Sequence, residues 1–226
     1  MEILIIVVLA LVAYLMGSFS SDLWYGRWFH GIDIREHGSK NAGSTNVLRV
    51  LGWKCAIPVF ITDVLKSFIP AMFFVMLLNA IMPEIADDYV VKIKGSEVYY
   101  LLQLLFGMMA ILGHIFPIFS GFKGGKGVAS MLGIVLALDP LAAALALAVF
   151  IIVVICTKIV SVSSMSAGVS FPIIVFLMSM IRGNGYSITL TVFSIIVAIL
   201  LLVTHKKNIK RLIKGEEPKI TVGKKK

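Results

Sequence analysis

The chain has 226 residues, 59% of them hydrophobic and only 15% charged, with a formal net charge of +9. A soluble domain is roughly half apolar and about a quarter charged, and here the apolar residues run in long blocks, so composition excludes a soluble globular protein and points to a polytopic membrane protein. In such a chain the positive charge reads as lysine and arginine gathered at the cytoplasmic face, not as a nucleic-acid surface.

Ile3 to Ser21 carries no charge over 19 residues, about the length that crosses a hydrocarbon core. The Met-Glu start lacks the basic n-region of a secretory signal, so this segment is expected to be a retained first span. Asp22, Trp24, Tyr25 and Arg27 then mark an interface. A polar segment follows from Gly31 to Gly52. Cys55 to Met82 is the second predicted span and holds Asp63 and Lys66, three apart and so on one helix face, where a structural ion pair directed into the bundle is the favoured reading. Pro83 to Val98 is a polar loop, and Tyr99 to about Phe119 is a third span. A second polar segment covers 113–130.

Gly127 to Leu138 is only 12 residues, broken by Asp139-Pro140. As a helix it would be about 18 Å long against about 30 Å of hydrocarbon, so it either crosses a thinned region or forms half of a re-entrant hairpin. Pro140 to Thr157 is a full span. The serine-rich stretch 158–164 precedes a span from Met165 to Ile181, a turn at 182–186, a last span from Ser187 to Thr204, and a basic tail from His205. Cys55 and Cys156 lie in or beside apolar runs and read as small buried residues. No CxxC or Cys/His cluster suggests a metal. The expected fold is therefore an all-α integral membrane protein with seven helical segments, the fourth short, in a single membrane domain (1–226) with a basic cytoplasmic tail (205–226). With the N-terminus outside and the C-terminus cytoplasmic, 17 of the 21 lysines and arginines fall inside and three outside, whereas fusing 127–157 into one crossing would expel the tail.

This topology brings four polar segments to one face. The second holds Gly121, Gly124, Gly125 and Gly127 around Lys123 and Lys126. Glycine amides can form an anion-binding nest, and a helix starting near Gly127 would turn its positive end to it. The loop is not a Walker A motif, because Ser120 and Gly127 occupy two of its required positions. The competing reading is a basic loop resting on anionic lipid. The first segment supplies Ser39, Asn41, Ser44, Thr45, Asn46 and Arg49, small polar groups with one guanidinium suited to phosphate; alternatively it is a capped turn. Ser161, Ser163 and Ser164 suit either anion binding or helix capping. His205 and Asn208 share a helical face. The positions five after the four histidines are Arg35, Ala42, Phe119 and Lys210, so no His-x-x-x-x-Asp acyltransferase motif exists, and no Asp-rich metal signature is present. Lacking an obvious base, nucleophile or metal, such a site suits an already activated donor, with catalysis by positioning and charge stabilisation.

Four stretches in order, DIREHGSKNAGSTNVLR, GHIFPIFSGFKGGKGVAS, VSVSS and HKKNIKRLIKG, preceded by GSFS, closely match signatures of one family. From Gly17 to about Glu217 the chain resembles the bacterial acyl-phosphate:glycerol-3-phosphate acyltransferases. Ser20 stands for a usual Pro, Lys40 for a usual Gly and Ser44 for a usual Ala. The resemblance implies a seven-helix enzyme of the bacterial cytoplasmic (inner) membrane, without metal or cofactor. Its substrates would be acyl phosphate and glycerol 3-phosphate, and its neighbours membrane lipids. Its roles would place phosphate on Thr45, Arg49, Lys126 and the serines Ser161, Ser163 and Ser164, supported by Lys123, Gly124, Gly125 and Asn46. Ser39 and Asn41 would position the reacting carbonyl or hydroxyl, and His205 and Asn208 would orient glycerol 3-phosphate. Rival readings are an acyltransferase using acyl carrier protein or a coenzyme A thioester, an organic-phosphate transporter, and a scaffold working through its tail.

Overall fold

The computed structural model describes residues 2–81, 97–182 and 187–220. Most of the expected loop 83–98 and turn 182–186, and the end of the basic tail, lie outside them. The described residues are helical with no strand, and form two compact units, Met1–Leu138 and Asp139–Lys226. Among the described residues five helices are long and apolar enough to cross a membrane, or six if the bent pair Ile188–Thr204 and Lys206–Ile213 counts as one crossing. Large apolar side chains such as Ile3, Leu11, Ile57, Leu101, Ile152 and Val203 stand exposed on their flanks, as lipid-facing surfaces require.

In the first unit α1 (Glu2–Gly17) lies against α6 (Glu97–Ile115) at backbone contact. A Cβ at Gly17 would collide with the Ala110 carbonyl, and one at Gly113 with the Tyr14 carbonyl. Small residues at such crossings let membrane helices gain dispersion contacts where no hydrophobic effect drives them together. After a break at 18–20, α2 (Ser21–His30) buries Asp22, which composition had placed at an interface. The burial is tolerated because its carboxylate accepts the Gly43 N–H. α3 (Ser44–Leu51) follows a Gly43 turn, and α4 (Trp53–Ile69) runs through a π-helical turn at Pro70–Phe74 into α5 (Val75–Ile81). Pro70 has no N–H to give to the preceding turn, which accounts for the wider helix there.

The short α7 (Val128–Leu138) is a core helix: Ala129, Ser130, Met131, Gly133, Ile134, Val135, Ala137 and Leu138 are all buried. It can be short because it is sheathed by protein. A Cβ at Gly133 would strike the Val64 carbonyl of α4, Ser130 Oγ donates to the Asp63 carbonyl at 3.1 Å, and Gln103 Nε2 of α6 reaches the Ala137 carbonyl at 3.2 Å.

In the second unit Asp139 caps α8 (Pro140–Thr157), accepting from the amides of Leu141 and Ala142, and is held by Arg182 at 2.6 and 3.1 Å. α9 (Val160–Arg182) packs on α8 and on α10 (Ile188–Thr204), with Gly168 against Leu201. A 58° bend at His205 leads into α11 (Lys206–Ile213). Cys156 is exposed on α8 and Cys55 half-buried with its Sγ 3.2 Å from His30 Nε2, so neither is the buried residue expected. Cys55 packs at the edge of the apolar cluster of Leu23, Ile34, Val47, Ala56 and Val59, whereas Cys156 stands on the outer flank of α8.

Candidate functional site

The first unit carries one group of the candidate residues. Ile34 and Val47 are buried with Leu23, Ala56 and Val59, and this apolar cluster seats the loop between α2 and α3. Asn46 closes the loop from inside. Its Oδ1 accepts the Ser39 N–H at 2.8 Å, and its Nδ2 donates to the carbonyls of Ile34 and His37 at 2.9 and 3.1 Å. The buried amide thus braces the loop from inside and holds Ser39 in place, a structural role beyond the substrate contact expected of Asn46. Ser39, Asn41, Thr45 and Arg49 are half-buried along the same loop and helix start. Lys40 is exposed and takes φ +58, a left-handed conformation natural to glycine.

The second polar segment leaves α6 through Pro117 and turns at Gly121 and Phe122, with φ +67 and +58. Gly124 N–H donates to the Ile115 carbonyl at 3.1 Å and Gly125 N–H to the His114 carbonyl at 3.2 Å. Those two amides are therefore not the anion nest the glycines suggested. The glycines serve close approach instead, since a Cβ at Gly124 would meet the His114 carbonyl and one at Gly125 the His114 ring. They lay the chain flat on the end of α6, with Lys126 half-buried and Lys123 exposed.

The structure joins these two segments. Arg35 binds Asp33 through Nε and Nη2 at 3.1 and 2.8 Å, and its Nη1 donates to the Ser120 carbonyl at 3.0 Å. With Arg35 and Arg27 both on it, the Asp33 carboxyl lies well below the usual carboxylate range, despite some opposing desolvation. Beneath the segments runs a buried polar network. Lys66 Nζ is 2.7 Å from Asp63 Oδ1, the ion pair expected from their spacing, and also donates to the Phe19 carbonyl at 3.1 Å. Ser21 Oγ donates to the same carboxylate oxygen at 3.0 Å, and His114 Nδ1 stands 3.7 Å from it.

The second unit has a different centre, Glu217, which sequence reasoning missed. Ser161 Oγ and Asn208 Nδ2 donate to its Oε1 at 2.8 and 2.6 Å, and Arg211 Nε donates to Oε2 at 2.7 Å. Burial raises the proton affinity of this carboxylate, but the three donors outweigh it and hold its pKa below the ordinary value. Glu216 and Glu217 are the two acidic residues in the otherwise basic 205–226, which was the available signal. The Ile220 N–H donates to the Lys158 carbonyl at 2.7 Å, so the chain after α11 lies back along the start of α9. Thus Ser161 and Asn208, predicted from separate motifs, meet through a third group. Ser163 and Ser164 instead donate to the carbonyls of Ile159 and Val160 in their own turn, at 2.9 and 3.0 Å, leaving their oxygens as acceptors. His205 Nδ1 is 2.7 Å from the Leu201 carbonyl. A bond of that kind makes Nδ1 the protonated nitrogen of the neutral ring and Nε2 the basic one. Among the described residues no group of three or more His, Cys, Asp or Glu side chains is gathered as metal ligands.

The model of the glycerol-3-phosphate acyltransferase family matches residues 7–215. A glycerol-3-phosphate acyltransferase of Salinibacter ruber is 38% identical over 217 residues, covering 95% of this chain and 92% of its own. That of Chlorobaculum parvum is 38% identical over 228 residues, covering 94% and 95%. Among solved structures, the glycerol 3-phosphate form of PlsY (YgiH), an integral membrane glycerol 3-phosphate acyltransferase, superposes with a TM-score of 0.77 at 32% identity over 96% of each chain. Its lysophosphatidic acid form gives 0.74 at 32% identity over 96% and 95%.

Proposed function

The chain belongs to the glycerol-3-phosphate acyltransferase family, and from that premise we propose that it transfers a fatty acyl group from acyl phosphate to the 1-hydroxyl of glycerol 3-phosphate. The products are lysophosphatidic acid and inorganic phosphate, in phospholipid biosynthesis. The observation that carries the reading is the braced pair of segments in the first unit, where Ser39, Asn41, Thr45, Arg49 and Lys126 all stand half-buried on loops tied together by Arg35. Half-burial strengthens charge–phosphate attraction by excluding part of the water, while leaving the groups reachable.

Acyl phosphate is a mixed anhydride. The 1-hydroxyl oxygen attacks the acyl carbon, the bond from that carbon to the phosphate oxygen breaks, and phosphate leaves with the electron pair. No covalent enzyme intermediate is needed, so positioning and charge stabilisation supply the rate. In the first unit Arg49, Thr45 and Lys126 hold phosphate, with Lys123 in support, and Ser39 and Asn41 orient the reacting carbonyl or hydroxyl. In the second, Asn208 and His205 orient glycerol 3-phosphate and Ser161, Ser163 and Ser164 contribute to phosphate binding. The proton of the attacking hydroxyl passes to Nε2 of His205 or to a substrate phosphate oxygen. Glu217 fixes Asn208 and Ser161 in place. The charge distribution supports seven helical segments in the bacterial cytoplasmic membrane, with the N-terminus outside and the polar segments and C-terminus facing the cytoplasm. Membrane lipid would then deliver the acyl chain laterally, and the cytoplasm the polar alcohol.

The test is product formation by purified protein given radiolabelled glycerol 3-phosphate and, in parallel, palmitoyl phosphate, palmitoyl-coenzyme A or palmitoyl-carrier protein, with chelator present. Lysophosphatidic acid from palmitoyl phosphate alone is expected. Product from a thioester alone would reassign the donor, and no product from any donor by folded protein would overturn the reading.

A further inference from the structure

Arg35 is not needed to close its own loop, because Asn46 does that. Its guanidinium has a fixed, planar set of five N–H donors. Nε and Nη2 grip the two oxygens of Asp33 at 3.1 and 2.8 Å, and Asp33 Oδ1 also accepts the Arg35 amide at 2.9 Å. Arg27 Nη2 reaches Asp33 Oδ2 at 3.0 Å from the exposed side. This two-pronged grip sets the plane of the guanidinium and aims Nη1 outward from the first segment. Nη1 meets the carbonyls of Ser120 at 3.0 Å and Lys123 at 3.5 Å.

Those carbonyls bracket the tight turn at Gly121 and Phe122, where two consecutive residues have positive φ. The amides of Gly124 and Gly125 tie the loop to the end of α6, and Ser120 Oγ ties it to Ser20 Oγ at 2.9 Å. Arg35 ties it to the segment bearing Ser39, Asn41, Thr45 and Arg49. Lys126 follows Lys123 by three residues, with Gly124 and Gly125 between them. Two glycines transmit position poorly unless both ends of the stretch are held. α7, which begins at Val128, holds the far end, and the Arg35 contact holds the near one.

We propose that Arg35, oriented by Asp33, is a positioning residue of the reaction: it sets the Lys123–Lys126 loop against the Ser39–Arg49 segment so that cations and hydroxyls from both can engage one phosphate group. The proposal rests on the acyl-transfer reading above. Arg35 touches no substrate in this scheme and acts through Lys126.

The experiment compares wild type, Arg35→Ala, Arg35→Lys, Lys126→Ala and the double variant Arg35→Ala/Lys126→Ala as purified full-length protein. It measures kcat, the KM for each substrate, the unfolding midpoint, and trypsin cleavage after Lys123 and Lys126. Arg35→Ala is expected to lower kcat/KM about 10- to 100-fold, the range for a misplaced catalytic group, with the midpoint near wild type and faster cleavage at the two lysines. Added guanidinium ion at non-denaturing concentration is expected to restore part of its turnover. The Arg35→Ala loss is expected to vanish in the Lys126→Ala background, since a residue acting through another is silent once that one is gone. Kinetic constants within about twofold of wild type, or losses that multiply in the double variant, would overturn the proposal. Should Arg35→Ala not fold, Arg35→Lys carries the test. A lysine can reach the carbonyls but cannot grip Asp33 with two nitrogens, so an intermediate loss is expected and wild-type kinetics would overturn it. If wild type makes no product, the acyl-transfer reading has failed; the cleavage comparison still decides whether Arg35 holds the loop.

Discussion

Each unit sinks carboxylates among donors, and two of them, Asp63 in the first and Glu217 in the second, solve the same problem differently. Asp63 lies on α4 and is answered by Lys66, one turn along the same helix, with Ser21 and His114 closing the shell. Glu217 comes from the chain beyond α11 and is answered by three separate places, Ser161, Asn208 and Arg211. The first arrangement is assembled by forming one helix. The second exists only after α9, α11 and the following chain have come together. Asp63 is therefore a core element of its unit, whereas Glu217 is a fastening that can be released without dismantling helices.

Breaking the first arrangement should have the larger effect. Lys66→Met keeps most of the side-chain volume but leaves Asp63 buried without its cation. Removing one partner of a buried pair costs about 3–5 kcal/mol, enough to threaten folding. The double change Asp63→Leu/Lys66→Met should recover most of that loss, because it removes the uncompensated charge along with the pair. Thermal unfolding of the three proteins in one detergent checks this, and a Lys66→Met protein as stable as wild type would show that the pair contributes nothing.

Glu217→Gln sharpens the contrast. It keeps the shape but turns charge-assisted bonds into neutral ones and puts an amide NH2 among donors. A loss of about 2 kcal/mol is expected, confined to the second unit's fastening. Amide exchange should quicken over Lys214–Ile220 and α11 while the first unit keeps its protection. The KM for glycerol 3-phosphate should rise through Asn208. If exchange quickens throughout the chain, Glu217 is a core element after all.

The same carboxylate gives a pH signature. Its pKa lies below the ordinary 4.5 when the chain is docked, so released chain takes up a proton more readily than docked chain. The docking energy is complete above about pH 4.5 and drains away as pH falls from there through the docked value. Protection at 214–220 should therefore fall in acid below pH 4.5 in wild type, and Glu217→Gln should show lower protection with no such step. Asp33 behaves with the same sign, and its tie to Arg35 should be lost only in stronger acid, since its usual value of 3.8 is displaced far downward.

How much of this could be read from the chain follows from the same contrast. The Asp63–Lys66 pair was legible because helix periodicity places i and i+3 together. The apolar blocks gave the helices, and the motif spacing gave Ser39, Thr45, Arg49, Lys126, His205 and Asn208 as candidates. The part of Asn46 was not legible, because whether a buried amide serves a ligand or its own loop depends on where Ile34 and His37 direct their carbonyls. Gly124 and Gly125 misled for a related reason: glycine permits both amide donation and close packing, and only the nearness of the α6 end decides between them. The buried course of α7 was beyond reach too, since an 11-residue helix with Ser130 as its one polar side chain reads alike whether lipid or protein surrounds it.

The smallest expected effect compares two lysines in one backbone state. Lys40 in the first unit and Lys158 in the second both take φ +58. Lys158 ends α8 in a left-handed cap, with its N–H on the Val154 carbonyl at 2.8 Å, a position where glycine is the common choice. Lys40 sits instead between Ser39 and Asn41, where strain is borne by a loop that carries function. A left-handed L-residue costs roughly 1–2 kcal/mol, and glycine returns about 0.4–1 kcal/mol of that by loosening the unfolded chain. Lys40→Gly and Lys158→Gly should each stabilise by about 0.5–1 kcal/mol, a rise of roughly 1–4 °C in Tm. The two should separate in kinetics. Lys40→Gly removes a cation beside the proposed phosphate-binding groups, so its KM for the anionic substrates should rise modestly at low ionic strength and converge on wild type as salt screens the charge. A salt-independent change would mean that Lys40 acts through the backbone it strains, and equal kinetic shifts in both variants would remove any special place for the first unit's loop.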